Sequence, residues 1–372
     1  MSKITCAILL TAAAAMTASG SFADTESLKS VAPGKADLQS IGALEIGPDG
    51  VLFAGDSQGS AVYAIDVAHP STSLGEFEGI EDLDGKIAAL LGTDVRGVHV
   101  KDMAVHEESG AIYLSVMRGD GDDAKPVLVR VQSGGKIEDV PLDNVRFSKL
   151  EIPDAPSPGA RLYRWQSRSF TITDLEFIGG ELYIAGLSNE EFASKLRRAP
   201  YPFEGELRVT DLEIYHGAHG EFETMAPIFS FVPYELDGRE HLLAGYLCTP
   251  LVTFPLDDVK KEGKLRGKTI AELGWGNIPS DLVPYEKEGE GYLLVVNNTR
   301  GNMRMKKADI AAAQKGEGIT TRVGPRTGVE DETVPLGNVA QAAAYGAGHV
   351  AVLGRSMENG SLYLQVVSNH RL

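Results

Sequence analysis

The chain has 372 residues, with 52 acidic against 35 basic side chains and a formal charge of −17. That balance excludes general affinity for nucleic acid, which needs Lys and Arg to neutralise phosphates, and disfavours adhesion to anionic lipid. It suits solubility instead.

The N-terminus follows a secretory order. Lys3 gives a positive start, Ile4 to Ala18 an apolar stretch, and Ser21-Phe22-Ala23 small residues at the positions a signal peptidase reads. The expectation is a signal peptide over 1–23, cleavage after Ala23, and a single domain over 24–372 in the periplasm or outside the cell. The apolar run is too short and too polar to span a bilayer of ~30 Å, so no membrane anchor is expected. Loss of Lys3 takes the formal charge from −17 to −18. Of the two cysteines only Cys248 then remains. It can make no internal disulfide, and stability must come from a hydrophobic core.

Five segments share one plan: a short apolar strand, a tight turn, and a second apolar strand. In chain order these are Ala43 to Gly55, Asp102 to Leu114, Asp174 to Ile184, Asp281 to Val295 and Ala342 to Val352. A looser sixth copy runs from Phe229 to Tyr246. The Gly and Asp residues in the turns supply the positive φ that hairpins need. An alternating third strand follows most copies (Val62 to Val67, Val127 to Val131, Val252 to Leu256, Leu362 to Val367), and a fourth is readable at Leu207 to Tyr215 and Lys268 to Leu273. Glu81 to Leu91 and Asn189 to Arg198 read as short helices, and Ile152 to Pro158 as a loop or lid.

Small four-stranded sheets recurring at intervals of about 50 to 60 residues describe the blades of an all-β propeller. Six blades are expected, with seven as the alternative. The last blade ends after its third strand, and a strand near Ser27 to Ser40 is expected to close the ring. On this blade pattern the chain resembles secreted β-propellers in the broad sense, a grouping that includes lactonases, quinoproteins and repeat propellers. No motif selects one family.

In a propeller, second strands and blade-to-blade loops meet on one face, and first hairpins point to the other. His106, His241 and His349 therefore belong to the far face. His99, His216 and His219 belong to the near one, as do Glu223, Tyr246 and Cys248. Imidazoles with a thiolate suit zinc or copper, so His216, His219, Cys248 and His99 are candidate metal ligands, copper being favoured in an exported protein. Tyr246 and Glu223 are the candidate catalytic residues of an oxidoreductase working there on a small molecule.

Asp102, Asp174 and Asp281 occupy matching positions at the openings of first strands. They form a candidate channel site for calcium, as in a lactonase or esterase-type hydrolase, or else they tie blades together through backbone N–H groups. Arg118, Arg300 and Arg355 end second strands on the same face and could bind an anion. A third alternative is a rigid platform that binds a protein partner without chemistry.

Overall fold

The computed structural model describes residues 32–70, 74, 77, 79–297, 299 and 301–372. The expected signal peptide lies outside these residues. Among the described residues no helix is long and apolar enough to cross a membrane.

Six small sheets stand in a ring, antiparallel but for one parallel pairing of Gly263–Arg266 with Arg208–His216, each beginning with an inner strand beside a central channel. In chain order the inner strands are Leu44–Ile46, Val98–His106, Asp174–Ile178, Ile228–Leu236, Pro279–Lys287 and Asn338–Ala344, which open blades 1 to 6. Blade 2 is complete in four strands, ending at Ile137–Val140. The chain then returns to blade 1, where Val145–Glu151 pairs with Ala61–Ile65 as the fourth strand. Blade 2 is thus inserted between the third and fourth strands of blade 1.

The order around the ring is accordingly 2-1-3-4-5-6, closing from 6 to 2. A hydrogen bond joins every neighbouring pair of blades. Leu44 N–H donates to Asp102 between blades 1 and 2, and Phe177 N–H to Glu45 between 3 and 1. Phe231 N–H donates to Asp174 between 4 and 3, and Ser230 Oγ to the Pro279 carbonyl between 4 and 5. Ala342 N–H donates to Asp281 between 6 and 5, and Gln341 Nε2 to the Lys101 carbonyl between 6 and 2.

The packing has the same order, because successive side chains of a strand point to opposite faces. In blade 1, Leu52 and Ala54 enter a core shared with blade 2, whereas Val51 and Phe53 enter one shared with blade 3. Further cores fill the 3–4, 4–5, 5–6 and 6–2 interfaces. With both faces covered, the strands become continuous apolar runs, which is why the repeat stands out in the sequence.

Three expectations are corrected. The N-terminal strand Ala32–Gly34 pairs with Val145–Glu151 on the outside of blade 1, not with the last blade. The returning strand offers an edge there, and among the described residues blade 6 has three strands with an Ile80–Leu364 bridge beyond them. The helix read at Asn189 to Arg198 is instead the strand Ser194–Pro200. Its buried charges each have a partner: Lys195 meets Asp211 and Glu190, Arg197 grips Asp154, and Arg198 meets Glu181. The grip on Asp154 also fastens the loop from Ile152 that had the look of a lid. The helix expected near Glu81 is present as Leu83–Leu91.

Candidate metal site

The outer strand of blade 3, Arg208–His216, runs toward the near face and ends in a tight turn. Both His219 N–H and Gly220 N–H donate to the His216 carbonyl there. Glu221–Glu223 then pairs back along the strand, carrying Glu223 beneath the two imidazoles. Gly217 has to be glycine: a Cβ would lie 2.6 Å from Ile319, 2.8 Å from Val323 and 2.9 Å from Glu272 Oε1.

Blade 4 supplies the rest. Tyr246 ends its second strand, and Cys248 starts the third at φ 91°. That left-handed backbone is strained for a residue with a Cβ, at a cost of about 1–3 kcal/mol. Asn277 ends the fourth strand opposite Cys248.

These elements bring one ligand atom each of His216, His219 and Cys248 within 4.8 Å of one another. His219, Glu221 and Glu223 meet the same limit. The rings of His216 and His219 stack with centroids 3.7 Å apart, and Trp275 stacks on the outer side of His219 at 5.8 Å. Glu223 serves both imidazoles, Oε2 lying 2.9 Å from His216 Nδ1 and Oε1 lying 2.5 Å from His219 Nδ1. The Nδ1 of His216 is buried and has no aligned hydrogen-bond partner among the described residues.

Beneath His216 the surroundings are closed. Its Nε2 is 2.6 Å from Thr249 Oγ1 and 3.8 Å from Glu272 Oε2. Glu272 Oε1 accepts from Gly217 N–H at 2.6 Å. Burial by itself would lower the His216 pKa, but contacts with Cys248 and Glu223 and the charges of Glu223 and Glu272 carry it up to about 9. Glu223 is held below the usual carboxylate range by both histidines, against the effect of its own burial. Glu272 is raised, chiefly by burial. A loose hairpin, Arg161–Gln166, reaches over the group. The Tyr163 phenol at its tip is 74% exposed, and its pKa is raised by its surroundings and by the charges of Glu223, Cys248 and Glu221.

The other candidate residues lie elsewhere. His99 is not in the group; it pairs with Asp120 at 2.8 Å in blade 2. Tyr246 faces into the core between blades 3 and 4, its hydroxyl beside Ser194 and its pKa raised by burial, which opposes a tyrosinate. The two described arginines each have a local partner. Arg118 reaches the Leu91 carbonyl, Arg355 lies 3.6 Å from Asp84, and Arg300 falls outside the described residues. Of the far-face histidines, His106 stacks on His69, which the sequence did not single out.

Asp102, Asp174 and Asp281 do face one channel, in a cavity of about 570 Å³ shared with Glu45 and Glu176. Each gives an oxygen to a neighbouring blade's backbone N–H, at 2.7, 2.7 and 3.0 Å respectively. Burial pushes Asp102 up to about 7 and Glu45 up to about 8. Burial, reinforced by neighbouring carboxylates, also raises Asp174, Glu176 and Asp281 well above the usual range.

No family model and no curated protein matches this chain. Solved structures do resemble it. An engineered GH43 glycoside hydrolase with endo-xylanase and exo-arabinofuranosidase activity is 12% identical, over 78% of this chain and 52% of that one, with a TM-score of 0.38. This chain thus spans about half the length of that protein. The GH43 endo-arabinanase of Bacillus licheniformis is 13% identical, over 72% and 92% of the two chains, with a TM-score of 0.37. A dihydro-haem d1 dehydrogenase is 11% identical, over 88% and 55%, with a TM-score of 0.35. By its own ring of six sheets the chain is a six-bladed β-propeller.

Proposed function

We propose that this propeller binds a transition-metal ion, copper first among the candidates, through His216, His219 and Cys248. On this reading the protein is an exported redox protein acting on a small molecule at the near face. The observation that carries it is the meeting of two imidazoles and a thiol within 4.8 Å. One thiolate with two imidazoles is a donor set that copper favours and zinc accepts.

The surroundings support the same reading. Glu223 is placed to act as a fourth donor or to take a proton from a molecule at the site. Trp275, 48% exposed, stacks on His219 and leaves an aromatic surface beside the group. Strain at Cys248 is a local cost of the kind found at functional positions.

The calcium-dependent hydrolase has weaker support, because each aspartate of the channel already holds a neighbouring blade. The protein-binding platform makes no use of the His–Cys group.

Copper(II) titration into the purified protein tests the proposal. An intense visible thiolate-to-copper band should saturate at one equivalent and be absent in Cys248→Ser. A protein that takes up no copper and no zinc at stoichiometric level would refute it.

A further inference from the structure

We infer that Thr249 and Glu272 position His216 so that Nδ1, and not Nε2, is the nitrogen it gives to a metal, an inference that rests on the metal reading above. The Nε2 side of the ring is occupied. Thr249 Oγ1 lies 2.6 Å away, and Thr249 is fully buried. Behind it stands Glu272, 1% exposed, whose Oε2 lies 3.8 Å from His216 Nε2 and has no aligned hydrogen-bond partner of its own among the described residues. Glu272 is itself held by Gly217 N–H, one residue from the histidine it supports. The backbone beside His216 is hydrogen-bonded to this carboxylate, and the ring lies 3.8 Å from it.

The Nδ1 side is the reverse. It is buried, lacks an aligned hydrogen bond, and faces Glu223, which also contacts His219 Nδ1. An imidazole that ligates a metal usually donates its other N–H to a carboxylate or carbonyl, which fixes the ring and makes the ligating nitrogen more basic. Here a hydroxyl takes that place: Nε2–H donates to Thr249 Oγ1, and the Glu272 carboxylate stands 3.8 Å from the same nitrogen. Removing the hydroxyl frees the ring to turn, whereas serine keeps the link. Thr249 and Glu272 are thus positioning residues that act through His216.

Two measurements test this, with zinc as the diamagnetic probe. Nitrogen-15 spectra of the zinc-loaded protein should show the His216 Nε2 still protonated and Nδ1 metal-bound; a metal-bound Nε2 would overturn the assignment. In chelator competition, Thr249→Val should lose about 10–100-fold in zinc affinity and Glu272→Gln should also weaken it, while Thr249→Ser stays near wild type. Equal affinity in Thr249→Val and Thr249→Ser would overturn it as well. If the wild-type protein binds neither zinc nor copper, the metal reading fails on its own. The hydrogen bond to Thr249 is then judged in the metal-free protein, where the His216 Nε2–H proton should exchange slowly and become fast in Thr249→Val. Fast exchange in both would overturn it.

Discussion

Two polar clusters lie on this propeller, the carboxylates of the channel and the histidine turn between blades 3 and 4, and they are built on opposite terms. The three aspartates recur at one position of the repeat, and each has an oxygen engaged by a backbone N–H of the next blade. The histidine turn occurs once. Two imidazoles and a thiol meet there, and one imidazole nitrogen lacks an aligned bond. A polar residue copied with the repeat tends to serve the repeat. A polar group present once, held on a strained backbone, is the better candidate for chemistry.

Perturbing each region separately sharpens that contrast. The largest effect on stability should come from neither cluster but from the cores that hold both. Phe53→Ala removes a fully buried ring packed against Phe177, Tyr201 and Phe203, and should cost about 3–5 kcal/mol in denaturant unfolding. Asp174→Ala leaves Phe231 N–H without its acceptor and should cost about 1–3 kcal/mol, with metal binding unchanged. Loss of metal in that variant would break the separation.

The channel should also give stability a pH dependence. A carboxyl whose folded pKa lies above its unfolded value holds its proton longer in the native state. Its contribution is full below the unfolded value near 4 and is lost as pH rises through about 7 for Asp102 and about 8 for Glu45. Melting temperature should therefore fall between pH 5 and pH 8 on account of these groups, and Asp102→Asn should flatten the slope; an unchanged slope would contradict this placement of the charge. The smallest effect belongs to the strained cysteine. Cys248→Gly relieves φ 91° and should raise stability by about 1 kcal/mol while abolishing metal uptake, a gain in stability at the expense of function.

Much of this was legible in the sequence, for physical reasons. Strands covered on both faces give apolar runs such as Val51 to Ala54, and turns such as Pro48-Asp49-Gly50 punctuate them. Strand direction then placed His216, His219, Glu223 and Cys248 on one face. The insertion of blade 2 was hidden, because nothing in Val145–Glu151 announces a pairing with Ala61–Ile65 across a whole blade. Lys195, Arg197 and Arg198 disguised a strand, since their partners Asp211, Asp154 and Glu181 are distant in sequence or carry no pattern. Thr249 and Glu272 were missed for the same reason: a residue that supports a ligand through space has no spacing rule. Arg118 and Arg355 share a face but find separate local partners.

The most direct test is metal analysis of the purified protein beside two variants, His216→Ala/His219→Ala and Asp102→Asn/Asp174→Asn/Asp281→Asn. The account predicts about one copper or zinc per chain in the wild type and in the folded aspartate variant, and none in the histidine variant. Metal kept by the histidine variant and lost from the aspartate variant, or absent from all three, would contradict it.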